Sequence, residues 1–394
     1  TIGCFYVESP AMRMLLKKLA VEDYLGLVAA SSIIRPGVAE SGMMREYLLR
    51  HHDPERRKQA PAKLLEIMPE TYGVMVYQED VLRVASQYAG LDLEEADHVR
   101  RGMNIRYRDR PEFKVVQQKF FANCKASGYP EGQAEEVWRQ IDSFASFSFS
   151  KGHSASYAVE SYQSLYLKAH HPLEFLVGVA NNFGGFYHTE FYLHEAKRVG
   201  ATIEAPCINT SEEYCSLHGT RIFLGLGNVK SIESEVRQLI LHERERNGPF
   251  QDLQDVLKRV PLHVEQVRLL IRVGALRFTG KSKPALLWEL TLLHRPATVS
   301  TTGDLFITKV EEPRLPDLQH YPLADAYDEL DLLGFPLCDP FTLVDNPGEV
   351  PHVPRILKRD MHVLVGKRVT MLGYLIHVKA TDTRHGQRMT FGSF

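Results

Sequence analysis

Between Thr71 and about residue 205 apolar residues return at intervals of three and four, and run after run opens on a capping residue or Pro and closes on Gly or Pro. That period belongs to helices, since a half-buried strand would need strict alternation. Val81, Leu82, Ala85, Tyr88 and Ala89 make one stripe that stops at Gly90. Tyr77 and Gln78 stand at its start, within reach of a ligand. Asp92 and Glu95 form a capping-box pattern ahead of Ala96, Val99 and Met103. Further helices are expected over Pro111–Ala126, Glu131–Phe144, Ser154–His170, Leu173–Ala180 and His188–Val199. Upstream, Ile2 to Val7 is an apolar run, and Ser9-Pro10 opens a helix carrying Met14, Leu15 and Leu19. Pro36 and Gly37 interrupt the next one. His51–Lys63 is polar and basic, with Arg50, Arg56, Arg57, Lys58 and Lys63 against Asp53 and Glu55, and reads as a solvated loop. The first half of the chain is therefore expected to be a mainly α, multi-helix domain.

A length of 394 residues allows two or three domains, and a formal net charge of −2 excludes a uniformly basic coat. Any nucleic-acid contact must come from local clusters. Cys4, Cys124, Cys207, Cys215 and Cys338 are odd in number and scattered without a Cys-x-x-Cys pair, which argues against a disulfide framework or a zinc site and fits a reducing cytoplasm. No apolar run approaches the ~20 residues that span a bilayer, so no membrane association is expected. The chain starts at Thr1 and stops at Phe394 inside a strand-like pattern, and it reads as a piece of a longer protein.

Two basic segments carry chemistry. In Phe144–Tyr157, closely spaced aromatics lead into a Ser/Gly turn with Lys151 and His153 at a helix start, where free amides and the helix dipole favour an anion. Ser154 is the expected helix cap. The plainer alternative is a capped helix with Lys151 solvated. Arg100 and Arg101 end another helix, and Arg106, Arg108 and Arg110 follow. Adjacent guanidinium forks suit a triphosphate or a nucleic-acid backbone. Favourable charge at a helix C-terminus accounts for two of these arginines and leaves three unexplained. Arg35, in the Pro-Gly turn, either sits on a backbone phosphate or is an ordinary surface arginine.

Past residue 205 the texture changes. Arg221–Lys230 reads as a strand, a Gly225-Leu-Gly227 turn and a helix from Ser231, and Leu270–Leu276 repeats helix, Gly274 turn, helix. Such pairs resemble helix-hairpin-helix units, whose turn amides hold DNA phosphates without reading bases. Gly225, Gly227, Lys230 and Gly274 are the candidate DNA contacts. Thr298–Tyr321 is a polar linker that embeds Asp304, Leu305 and Phe306. Asp325–Leu333 is helix-like, with Asp328, Glu329 and Asp331 on an exposed face. Val369–Val378 alternates as a strand, and a turn at Thr383–Gly386 leads to a second over Gln387–Phe391, the opening of a small antiparallel β unit at the C-terminus.

In order along the chain, Thr1–Ser9, Ile34–Gly37, Thr71–Gly73 with Tyr77–Glu79, Ala96-Asp97 with Arg100-Arg101, Phe149–His153, Tyr162-Gln163, Leu167–Pro172 and Leu333–Pro336 resemble the motifs of the C family of bacterial replicative DNA polymerases, the polymerase III alpha subunits. The resemblance implies a fingers domain over 1–205, a tandem helix-hairpin-helix DNA-binding region over 206–296, a linker over 297–368 with a sliding-clamp contact at Asp304, Leu305 and Phe306, and a truncated OB domain over 369–394. It implies that Arg100, Arg101, Lys151 and His153 meet the triphosphate of an incoming dNTP. Template-primer DNA, the clamp and other replicase subunits are the implied partners. Mg²⁺ is the implied cofactor, held by palm carboxylates upstream of Thr1, so that the whole protein is a DNA-directed DNA polymerase and this stretch alone binds without catalysing. Ser150 and Gly152 replace the family's Asn and Ser beside the lysine, Asn104-Ile105-Arg106 replaces its Gly-Lys-Lys, and the linker motif lacks its leading Gln.

The rival from another class is a non-catalytic DNA-binding or repair scaffold of helix-hairpin-helix and OB modules, which would show steep salt dependence and no nucleotide preference. A nucleotide hydrolase is disfavoured because the chain has no Gly-x-x-x-x-Gly-Lys-Ser/Thr loop.

Overall fold

The computed structural model describes residues 1–34, 42–102, 107, 110–143, 150–182, 184–293, 321–344, 358–369, 371–382 and 386–394. The chain forms two compact units, Thr1–His170 and His171–Phe394. The described residues are predominantly helical, with one small three-stranded sheet and one two-stranded ladder.

In the first unit the helices start where the sequence puts capping oxygens. Ser9 Oγ accepts the Met12 amide at 3.3 Å ahead of Pro10–Leu19, and Asp23 accepts the Gly26 amide at 2.6 Å ahead of Tyr24–Ile33. The Asp92 and Glu95 side chains exchange hydrogen bonds with each other's backbone amides at 2.9 and 3.1 Å, completing the capping box of Leu93–Arg101. Gln78–Arg83 runs on into a π-helical turn, Val84–Tyr88, that nothing in the sequence announces. Phe120, Val137 and Ile141 bury the apolar faces of Pro111–Ala126 and Glu131–Ser143. The long helix Lys151–His170 packs on Tyr24–Ile33 and buries only small residues of its own, Ser154, Ala158 and Ser161, while Tyr24–Ile33 buries Ala29, Ala30, Ser31 and Ser32 along with Leu27, Val28 and Ile33. Small side chains let two helix backbones approach closely.

Three expectations for this unit are corrected. The long helix begins at Lys151, so Ser154 is buried inside it, and Ser150 is the cap, its Oγ accepting the His153 amide at 3.3 Å. Tyr77 is buried and closed to ligands. The basic stretch His51–Lys63 is no solvated loop: it holds the end of Met43–His52 and the short helices Pro54–Arg57 and Ala62–Ile67. Arg50 donates to Glu46 at 2.9 Å and to the Tyr72 carbonyl at 2.7 Å, and Arg56 grips the same Glu46 at 3.0 Å. Arg50 and Glu46 are one helical turn apart, but the Tyr72 carbonyl lies 22 positions on, a partner that a run of charges does not show.

The Arg56 hydrogen bonds, with those of Arg50, hold the Glu46 carboxyl below the ordinary glutamate value of 4.5 against the opposing effect of burial. A depressed carboxylate stabilises the fold above its unfolded pKa, and the contribution is lost as pH falls through the folded one. Glu46→Gln should therefore lower the melting temperature at pH 7, and the gap from wild type should close below about pH 4. Melting curves across that range check it; a gap independent of pH would mean that lost packing is responsible.

In the second unit β1 (Thr202–Glu204) pairs parallel with β3 (Arg221–Phe223), and β2 (Ser216–His218) pairs antiparallel with it, so β3 is central and Ile222 is buried. Helices Ser234–Asn247, Leu253–Arg259, Val264–Arg272 and Lys283–Leu293 follow. The C-terminal ladder joins β4 (His377–Asp382) to β5 (Arg388–Ser393). The expected strand over 369–378 thus begins only at His377, because alternation supplies a face and a strand also needs a partner for its backbone. Cys4, Cys124, Cys207 and Cys215 are buried and Cys338 is exposed, all as free thiols. Among the described residues no helix is long and apolar enough to cross a membrane.

Candidate functional site

Arg100 and Arg101 occupy the last turn of Leu93–Arg101, and both reach back one turn to Asp97, at 2.7 and 2.6 Å. Burial works against the Asp97 charge, but the two guanidinium groups outweigh it and its pKa is lowered. The spacing of Asp97 from the two arginines made this contact legible in the sequence.

Lys151 is the first residue of its helix. Its amine pairs with Glu70 and lies 5.5 Å from the centre of the Tyr77 ring, while its backbone amide donates to Glu79 Oε2 at 2.8 Å. A carboxylate therefore already occupies the first amide of the helix, where the dipole favours negative charge. Two positions along, His153 sets its ring edge-on to Tyr157 at 4.3 Å.

The four residues thus form two pairs. Both attach to one helix, Gln78–Arg83: Leu93–Arg101 packs on it, and its Glu79 holds the start of Lys151–His170. Three carboxylates, Glu70, Glu79 and Asp97, stand against these segments, and a phosphate entering the site would compete with them. Glu70 and Glu79 were not singled out from the sequence, because their partners lie 72 or more positions away. Arg110 lies over the Tyr107 ring at 4.8 Å, while Arg35, Arg106 and Arg108 lie outside the described residues.

In the second unit the first hairpin turn spends its amides on the protein itself. Gly225 N–H donates to Asn228 Oδ1 at 3.1 Å, Leu226 and Gly227 donate to the Glu212 and Glu213 carbonyls at 2.8 and 2.9 Å, and Lys230 donates to the Leu332 carbonyl at 2.7 Å. The glycines answer to packing: a Cβ on Gly225 would lie 2.4 Å from the Glu213 carbonyl oxygen, and one on Gly227 2.8 Å from it. Gly274 has φ +79° just past Val264–Arg272, and its amide and that of Ala275 cap the helix carbonyls of Ile271 and Leu270 at 3.0 and 2.8 Å. The Lys230 side chain is exposed. Asp304, Leu305 and Phe306 fall outside the described residues.

The acidic helix Pro322–Leu332 is exposed at Asp331, as expected, but Asp328 and Glu329 are partly buried and the helix is braced. Asp328 and Asp331 hold Arg272 at 2.7 and 2.8 Å, Asp325 pairs with Lys283 at 2.6 Å, and Glu329, its pKa raised by burial, accepts the Leu337 amide at 2.7 Å. Carboxylates committed to Arg and Lys are poor Mg²⁺ ligands. Among the described residues no group of three or more His, Cys, Asp or Glu could hold a metal ion, so the described residues do not fit a catalytic Mg²⁺ pair.

Residues 1–128 match the family profile of the bacterial DNA polymerase III alpha subunit finger domain, and residues 200–286 match a helix-hairpin-helix motif. DNA polymerase III subunit alpha of Staphylococcus epidermidis is 35% identical over 399 residues, which cover 99% of this chain and 36% of that protein. The same subunit of Staphylococcus aureus is 32% identical over 342 residues, 85% of this chain and 32% of its own length. The chain thus spans about a third of the length of the curated relatives it matches.

Proposed function

We propose, from the premise that the chain belongs to the bacterial DNA polymerase III alpha subunits, that it is the nucleotide- and DNA-binding part of a replicative DNA-directed DNA polymerase. In this reading residues 1–205 are the fingers, 206–296 the helix-hairpin-helix region on the template-primer, 297–368 a linker whose Asp304, Leu305 and Phe306 meet the sliding clamp, and 369–394 the start of an OB domain. Arg100, Arg101, Lys151 and His153 take the triphosphate of the incoming dNTP. Bidentate arginine forks and a lysine at a helix N-terminus together match its charge and shape. The observation that carries the reading is the attachment of both cationic segments to the single helix Gln78–Arg83.

For the DNA contact, Lys230 contributes through its exposed ammonium, and Gly225, Gly227 and Gly274 hold the turns that present it. Arg35 adds a further phosphate contact. Mg²⁺ would supply activation of the primer hydroxyl and stabilisation of pyrophosphate in the whole polymerase, from carboxylates outside these 394 residues. The residues of this chain bind and orient the nucleotide; the chain alone turns nothing over. Other replicase subunits complete the assembly.

Photo-crosslinking with a dATP that carries an azidoanilide on its γ-phosphate tests the assignment, because the reactive group then sits at the triphosphate. Adducts are expected within 93–101 and 151–170 and should disappear when inorganic tripolyphosphate competes. Adducts confined to other segments, or indifferent to tripolyphosphate, would remove it.

A further inference from the structure

Beside His153 the structure gathers three aromatic rings from distant parts of the chain. Tyr157 stacks on Phe5 at 5.4 Å and 19° and on Tyr6 at 5.1 Å and 15°. The segment carrying Phe5 and Tyr6 is held in place with some care. The Phe5 amide donates to Ser164 Oγ at 3.1 Å, Ser161 Oγ donates to the Phe5 carbonyl at 3.0 Å, and Lys168 donates to the Ile2 carbonyl at 2.6 Å. Ile2, Cys4 and Val7 are buried and anchor it from below. Yet Phe5 itself is left 41% exposed.

Tyr6 adds a second sign. Its φ of 63° lies in the left-handed region, which a bulky side chain seldom adopts and which costs about 1–3 kcal/mol. Such strain survives only where the surroundings impose it, and it gathers at ligand sites. An anchor needing only to bury apolar surface would not require parallel rings, an exposed face or a strained backbone.

We infer that Phe5, Tyr6 and Tyr157 form a stacking platform for the base of the nucleoside triphosphate whose phosphates meet Lys151 and His153. The inference rests on the nucleotide reading above and extends it from the phosphates to the base. His153 and Tyr157 are four residues apart on one helix, hence one turn apart on one face, so cationic head and aromatic floor make one continuous surface. Base–aromatic stacking tolerates any base, because every base has a π-face, and is stronger for purines with their larger ring area. Phe5, Tyr6 and Tyr157 are positioning residues for the base.

Isothermal titration of the 394-residue chain with dATP, dTTP and inorganic tripolyphosphate tests this. Wild type should prefer dATP to tripolyphosphate by about ten- to a hundredfold, with dTTP between. Phe5→Leu, which keeps apolar bulk without a π-face, should collapse that preference and leave tripolyphosphate binding unchanged; Phe5→Tyr should restore it. An equal preference in Phe5→Leu and wild type, or no preference in wild type, overturns the platform. The nucleotide reading fails separately: Lys151→Ala should weaken all three ligands alike, and a chain that loses no tripolyphosphate affinity on that change but keeps its base preference retains the platform without the phosphate site. Melting curves of both Phe5 variants show whether the segment still docks; if Phe5→Leu melts early, the ratio in Phe5→Tyr against the same chain with Tyr157→Leu decides.

Discussion

Replacing Arg100 and Arg101 together by Ala is expected to weaken deoxynucleoside triphosphate binding by about a hundredfold, since a hydrogen bond to a charged group contributes roughly 1.5–3 kcal/mol. The reverse is expected of Asp97→Asn. Its carboxylate holds both arginines at 2.7 and 2.6 Å, so an arriving phosphate must displace it. These ion pairs are partly exposed and individually worth only about 0.2–1 kcal/mol, so the gain is a few-fold. Titration at one fixed low salt concentration measures both effects. The opposite signs matter, because a variant that merely damaged the helix would lower affinity in both cases. Unchanged affinity in the double Ala variant, with its melting temperature intact, would take the arginines out of the site.

Gly225→Ala should destabilise the second unit by about 3 kcal/mol or more, because the new methyl meets backbone that cannot swing aside. Its nearest neighbours would be the Glu213 carbonyl oxygen at 2.4 Å and the Tyr214 carbonyl carbon at 2.5 Å. Gly280 provides the control: it has φ +71° and ψ −1° with nothing within 4 Å of the added Cβ, so Ala there costs only the left-handed backbone, about 1–2 kcal/mol. Urea unfolding of the two variants separates them. If Gly225→Ala kept wild-type stability and lost duplex affinity, the glycine would be a phosphate-approach residue after all, and the hydrogen bonds within the turn would have to open on DNA.

The hairpin turns show how far a motif can be read without its surroundings. Gly225-Leu-Gly227 and Gly274 mark tight turns correctly, and the helix-hairpin-helix match over 200–286 agrees with that reading. What the glycines are for depends on where Glu213 and Tyr214 run, which no local spacing encodes. The Asp92–Glu95 capping box, the Pro111–Ala126 helix and the Asp97–Arg100–Arg101 contact were all legible, because each is settled within one or two helical turns.

The sequence by itself therefore determined the helical class, most helix positions, the family and the identities of the cationic residues, since period, caps and ordered motifs are local properties of a chain. Tertiary structure alone decided that Glu70 and Glu79 face Lys151. It turned the basic stretch His51–Lys63 from a loop into helices braced through Glu46, and it brought Phe5 and Tyr6 onto Tyr157 across more than 150 positions. The physical reason is the same in each case. Hydrogen bonds, ion pairs and ring contacts act over a few ångströms whatever the sequence separation, and only folding decides which distant residues come within that range.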